Sequence, residues 1–195
     1  MRVIGVTGGV GAGKSTVLDY LKERYGADVI QADLVGHEVM EPGGAVCGAV
    51  AEAFGPGILT ADGSVDRAAL AKIVFGDEEK RRLLNGIVHP AVKEEILRRL
   101  SEDRERGVPC AVVEAALFLE ENYDAFCDET WYIYTDEKNR RRRLRESRGY
   151  SDERISRMFA SQMTHGQFLS RCRTVIDNNG SAGETFRQID KRMRR

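Results

Sequence analysis

The sequence predicts a three-layer α/β fold, with a five-stranded parallel sheet between layers of helix. Two observations lead there. Short apolar runs rich in β-formers recur along the 195-residue chain, and segments with helical spacing of apolar residues separate them. Strands that alternate with helices pair in parallel through right-handed crossovers. Apolar residues make up 42% of the chain and charged residues 31%, which suits a globular protein with a real core and excludes a disordered one.

The first strand is Arg2-Val3-Ile4-Gly5-Val6-Thr7, which runs straight into glycines. Similar runs at Ala27–Ile30, Cys110–Ala115, Thr130–Thr135 and Thr174–Asp177 supply the other four strands. Val88, Val92, Ile96 and Leu100 form one stripe of a helix. The crossover from Gln31 to Arg106 is far longer than one helix requires. Its breakers at Pro42-Gly43-Gly44, Gly55-Pro56-Gly57 and Asp62-Gly63 separate amphipathic stretches, so a mostly helical subdomain is expected there. A second helical insertion is expected from Asp136 to Arg171.

Composition narrows the function classes. The four cysteines (Cys47, Cys110, Cys127, Cys172) include no C-x-x-C pair and read as reduced and structural. His37, His89 and His165 stand apart, with no second ligand at metal spacing, so no transition-metal site is expected. No stretch approaches the ~18 apolar residues of a membrane span, and Met1-Arg2-Val3-Ile4-Gly5 reaches glycine too early for a signal peptide. A cytoplasmic protein with no membrane partner is expected. The net charge of −1 gives no general attraction to nucleic acid. That balance hides an asymmetry: Lys138–Arg157 carries +6 and the rest of the chain −7, which makes this window a localised anion-binding candidate.

Gly8-Gly9-Val10-Gly11-Ala12-Gly13-Lys14-Ser15 matches G-x-x-x-x-G-K-[ST] and lies after a strand and before a helix, the context this motif needs. The expected fold is therefore the P-loop NTPase fold, with the helical insertions noted above. Glycines let main-chain N–H groups converge on phosphate oxygens, and the helix start offers its positive dipole end to the same anion. Lys14 would bridge the β- and γ-phosphates of ATP, and the Ser15 hydroxyl would hold Mg²⁺. For the reaction, Asp33 follows the second strand, on the sheet edge where such folds bind ligands. It reads either as a base for an acceptor hydroxyl or as a helix N-cap, and spacing does not separate the two. Glu114 and Glu120 flank the end of the third strand. Glu114 is a candidate for holding a Mg²⁺-bound water, with a solvated loop acid as the alternative. Arg141, Arg145 and Arg148 share one helical face, where like charges cost a few tenths of a kcal/mol per pair unless an anion compensates. A polyphosphate would do so, under a mobile lid.

Together these motifs resemble the dephospho-coenzyme A kinase family, whose members phosphorylate the ribose 3′-hydroxyl of 3′-dephospho-CoA. Besides the loop, the resemblance rests on Ala32-Asp33 with His37, Arg67-Ala68-Ala69-Leu70 with Val74-Phe75, and Leu84-Asn85-Gly86-Ile87-Val88-His89-Pro90. It continues with Arg143-Leu144 and Arg148, Arg157 with Ser161-Gln162, and Val175-Ile176-Asp177-Asn178-Asn179-Gly180. It implies a single kinase unit with a core of residues 1–32, 107–137 and 166–195, a substrate subdomain over 33–106 and a lid over 138–165. It also implies ATP contacts from Gly8 to Thr16, Asp33 as general base acting with Lys14 and the lid residue Arg148, and Asn178 near the adenine end of ATP. His37, Arg67 and His89 would serve the acceptor side. Three departures stand out: Gln31 replaces the first acid of D-A-D, Ala116 stands where proline is usual, and Arg140 stands where glutamine is usual. The small-molecule partner is 3′-dephospho-CoA, and a monomer or weak homo-oligomer is expected. A nucleoside or nucleotide monophosphate kinase is the alternative within the same fold. An NTP-hydrolysing switch is disfavoured, because neither N-K-x-D nor L-S-G-G-Q occurs.

Overall fold

The computed structural model describes residues 1–194. These divide into two compact units, residues 1–29 with 103–194, and Ile30–Glu102. In chain order the elements are β1 (Arg2–Thr7), α1 (Lys14–Tyr25), β2 (Asp28–Gln31), α2 (Ala32–Glu38), α3 (Cys47–Phe54), α4 (Arg67–Val74), α5 (Glu78–Glu105) and β3 (Cys110–Glu114). They continue with β4 (Glu129–Tyr134), α6 (Glu137–Arg148), α7 (Asp152–Ala160), α8 (His165–Arg171), β5 (Thr174–Asp177) and α9 (Ala182–Met193). All five strands lie at or within a residue of the runs read from the sequence.

The strands form one sheet in the order β2-β3-β1-β4-β5. β1 is central because it is buried on both faces: Val3, Ile4 and Val6 are at most 1% exposed, the apolar run that a parallel interior strand requires. It pairs in parallel with β3 (Ile4 opposite Val112) and with β4 (Val6 opposite Trp131). β4 pairs in parallel with β5, Tyr134 lying opposite Asp177. Val17, Leu18 and Leu21 of α1 and Ile189 of α9 pack with Ile4, Val6, Val112, Trp131, Ile133 and Ile176 into one core. Polar contacts fix how α9 meets α1. Phe186 stacks on Tyr20 with ring centroids 3.9 Å apart, and the Tyr20 and Tyr25 hydroxyls both donate to Asp190 Oδ1 at 2.7 Å. These bonds stabilise the Asp190 carboxylate and lower its pKa from the ordinary value.

The Ile30–Glu102 unit is mostly helical, as the breakers imply. Asp66 caps α4 by accepting from the Ala68 and Ala69 amides. α5 starts at Glu78, well before the Val88–Leu100 stripe, and runs through Pro90. Val92, Ile96 and Leu100 are buried on it. Arg99 of α5 bonds Glu95 at 2.8 Å and also pairs with Glu38 at the end of α2. A pocket of about 360 Å³ lies beside Val39, Gly44, Ala91 and Glu94.

All four cysteines are free thiols. Burial pushes Cys110 and Cys172 up to about 11 and Cys127 up to about 12, so thiolate chemistry is suppressed at those three near neutrality.

Leu21→Ala removes a side chain with no exposed surface, and should lower the unfolding free energy by about 2–5 kcal/mol in urea denaturation. Leu169→Ala, at a side chain 46% exposed, should stay within about 0.5 kcal/mol of the parent.

Candidate active site

β1 ends at Thr7 and α1 begins at Lys14, so the glycine-rich motif is the whole connection between a central strand and a helix. Gly13 is the N-cap of α1 at φ 86° and offers no capping side chain. The first-turn N–H groups of α1 therefore stay available to an external acceptor. A Cβ at Gly13 would overlap Asn178 Nδ2, and one at Gly9 would overlap the Arg140 guanidinium. At Gly13 the left-handed backbone also favours glycine, whereas a side chain at Gly9 would have to displace the Arg140 guanidinium. Ser15 and Thr16, the next residues of the helix, are exposed.

The loop carbonyls are tied to the protein around them. Val10 C=O accepts from Arg140 Nε at 2.8 Å, and Val10 N–H donates to Gln162 Oε1 at 3.2 Å. Gln162 Oε1 also accepts from Arg140 Nη2 at 2.7 Å, and the guanidinium lies 4.1 Å from the centre of the Phe159 ring. Ala12 C=O accepts from Thr135 Oγ1 at 2.9 Å, Asn178 Nδ2 at 2.7 Å and Arg143 Nη1 at 3.3 Å. Among the described residues, the Gly11 and Gly13 N–H groups make no hydrogen bond to a protein acceptor. Burial lowers the Arg140 pKa from its ordinary value, yet a guanidinium remains charged throughout the physiological range.

Lys14 Nζ donates to Gly8 C=O at 2.9 Å and lies 3.4 Å from Glu114 Oε1. Glu114 closes β3 and is 8% exposed. It is thus a buried partner of the motif lysine, and the solvated-acid alternative is removed. Glu120 is exposed. Among the described residues no group of three His, Cys, Asp or Glu side chains is placed to hold a metal ion.

Asp33 is the second residue of α2, directly past β2, and is exposed. The N-cap of α2 is Gln31, and no side chain caps it, so the capping alternative for Asp33 also falls away. His37 is exposed in the last turn of α2. Arg67 is the exposed first residue of α4, and His89 lies within α5 beside Pro90. Asp33, His37, Arg67 and His89 all belong to the Ile30–Glu102 unit. Gly8 to Thr16, Arg148 and Asn178 belong to the other.

The basic window differs from the expectation in one respect. Arg141 bonds Glu137 at 2.8 Å and Ser156 at 3.1 Å, and Arg145 lies 3.6 Å from Asp152. Arg148 ends α6, exposed, 5.9 Å from the Tyr150 ring centre. Two of the three stripe arginines, Arg141 and Arg145, thus have acid partners at the start of α6 and of α7. Arg140 and Arg143 are the arginines that bond the loop. Arg140, Arg143, Gln162 and Thr135 were absent from the site read in the sequence. One signal for Arg140 was available: it precedes the buried Leu144 by four residues and so shares its helix face.

The family model described as dephospho-CoA kinase matches residues 2–184. A dephospho-CoA kinase of Geobacter sulfurreducens is 41% identical over 191 residues, covering 98% of this chain and 96% of that protein. One of Symbiobacterium thermophilum is 40% identical over 194 residues, covering 100% of this chain and 81% of that protein. Among solved structures, TT1252 from Thermus thermophilus superposes with a TM-score of 0.83 at 27% identity, over 99% of this chain and 96% of that one. A shikimate kinase from Acinetobacter baumannii shares the fold at a TM-score of 0.57 and 15% identity, over 99% of this chain and 92% of that one. With a central strand that feeds a phosphate loop and full-length relatives at about two residues in five, the chain belongs to the dephospho-CoA kinase family.

Proposed function

We propose that the protein transfers the γ-phosphoryl group of ATP to the ribose 3′-hydroxyl of 3′-dephospho-CoA, giving CoA and ADP. The observation that carries this reading is the loop itself. Residues Gly8 to Thr16 join free main-chain donors, the open N-terminal turn of α1 and the Lys14 ammonium at one place, which is the equipment a polyphosphate requires. Lys14 is held ready by Gly8 C=O and Glu114, from which it can turn to the β- and γ-phosphates.

Magnesium fits this donor set without a protein cage. Mg²⁺ prefers one or two protein oxygens, several waters and substrate phosphates. The exposed Ser15 hydroxyl would supply the protein oxygen, and Glu114 at the end of β3 would hold a water bound to the ion. Bound there, the ion would offset the charge on the phosphate oxygens.

Asp33 accepts the proton of the acceptor hydroxyl as that oxygen bonds to the γ-phosphorus and the bond to the ADP oxygen breaks. Its exposure and its freedom from capping support the role. His37, Arg67 and His89 position the acceptor. The helices over 138–165 act as the lid, with Arg148 reaching the transferring group and Asn178 bordering the nucleotide. No helix among the described residues is long and apolar enough to cross a membrane, and we place the reaction in the cytoplasm.

In a coupled ADP-release assay, turnover should require 3′-dephospho-CoA and should not occur with mononucleotide acceptors; the reverse pattern would assign the chain to the monophosphate kinases. Asp33→Asn should lower kcat by at least ~10²-fold and leave ATP affinity nearly unchanged, because its task lies on the acceptor side. Lys14→Ala should lower both. Equal loss of ATP binding in the two variants, read by calorimetry, would overturn that division. Arg148→Ala should reduce kcat by about 10²-fold if its guanidinium meets developing charge, and much less if it only stacks on Tyr150.

A further inference from the structure

We infer that Asn178, oriented by Thr185, is a positioning residue for the nucleotide's β-phosphate, acting through the Ala12 carbonyl on the direction of the Gly13 N–H. The inference deepens the proposed kinase reading and rests on the loop's phosphate-binding role in it.

The argument starts from one peptide group. A trans peptide is planar, so the C=O of Ala12 and the N–H of Gly13 point in opposite directions. Whatever fixes the carbonyl therefore aims the N–H. Ala12 C=O accepts from three donors, Thr135 Oγ1, Asn178 Nδ2 and Arg143 Nη1, at 2.9, 2.7 and 3.3 Å. All three lie on the carbonyl side of the peptide. The Gly13 N–H on the other side bonds no acceptor among the described residues. Donors on a carbonyl also polarise the peptide, which makes its N–H a stronger donor to an anion.

Among the three, Asn178 is held from several sides. It is 6% exposed and Thr185 is fully buried. Its own N–H donates to Tyr134 C=O at 2.8 Å, which ties the residue to the end of β4. Its carbonyl accepts from Arg143 Nη2 at 2.7 Å. Its side-chain Oδ1 accepts from Thr185 Oγ1 at 2.8 Å. Ala12 C=O can only accept, so the amide must present Nδ2 to the loop, and the Thr185 hydroxyl donating to Oδ1 holds that orientation. Both ends of the amide are engaged inside the protein, and Nδ2 sits so close to Gly13 that a side chain there would collide with it. One Nδ2 donor thus serves the loop while Oδ1 is held from α9.

Calorimetric titration of the full chain with ADP and with AMP, which lacks the β-phosphate, separates the possibilities. Asn178→Ala should weaken ADP binding roughly ten- to a hundredfold, the worth of a hydrogen bond to a charged group. AMP binding should change by less than about threefold. Thr135→Val should show the same split to a smaller degree, and Thr135→Ser, which keeps the hydroxyl, should bind ADP as the parent does. An equal loss for ADP and AMP would mean that Asn178 meets the base, and unchanged ADP affinity would mean that the carbonyl needs no anchor; either result overturns the inference. Should Asn178→Ala fail to fold, Thr185→Val carries the test with the same split, since it leaves every donor to Ala12 in place and frees only the amide's orientation. A parent protein that releases no ADP with 3′-dephospho-CoA would break the kinase reading. An active parent whose Asn178 and Thr185 variants keep full ADP affinity would break this inference alone.

Discussion

A planar peptide cannot turn its N–H toward a ligand without turning its carbonyl away from it, and the rest of the nucleotide site is arranged around that constraint. The loop between β1 and α1 presents carbonyls outward, and each outward carbonyl needs a partner fixed in the surrounding structure. The sheet supplies some of them. Tyr134 of β4 lies opposite Asp177 of β5, so the next residues on the two chains, Thr135 and Asn178, leave the sheet side by side and both reach Ala12. A one-residue slip of β5 against β4 would take Asn178 away from the loop. The apolar register of Trp131, Ile133 and Ile176 in the core thus carries through to where a main-chain N–H points.

The same logic governs the basic window. A run of arginines read along the chain is a sum of charge, whereas in the folded protein it separates by helix face. The face of Arg140, anchored by the buried Leu144, meets the loop and the ring of Phe159. The face of Arg141 and Arg145 meets Glu137, Ser156 and Asp152. Exposed pairs of that second kind contribute little to stability, but they offset part of the like-charge repulsion along that face. The arginines that bond the loop are Arg140 and Arg143, and net charge cannot identify them.

Much of the architecture was legible in advance because it rests on local signals. The β1 run, the glycine motif and the amphipathic stripe of α5 each follow a pattern that the sequence displays. The motif named Lys14 and Ser15, and the position after β2 named Asp33. What stayed hidden depends on residues far apart in the chain. Gln162 finds Val10 across 152 positions and Asn178 finds Ala12 across 166. Neither contact has a periodicity to announce it; the resemblance named Asn178 but not its bond to Ala12. Nor could spacing decide whether Asp33 caps α2, because that turned on where the helix begins: it begins at Ala32, with Gln31 as its N-cap. Arg145's compensation likewise depended on where α7 starts, since Asp152 is its first residue.

The buried polar cluster behind the loop raises a question of economy. Thr135, Asn178 and Thr185 are each at most 6% exposed, in a region where apolar residues of similar shape would serve stability as well. A fully paired buried hydrogen bond contributes only about 0.5–1.5 kcal/mol net, and replacing both partners by apolar groups can be close to neutral. Stability therefore gives weak reason for this cluster, while its completeness gives a strong one of another kind. Every side-chain heteroatom in it has a partner, and a fully satisfied network holds one geometry because each departure strands a polar group away from water. Apolar packing would fill the same volume and leave the Ala12 peptide free to rotate. The polar network holds that peptide to one orientation, the property an anion site needs and a hydrophobic core does not supply.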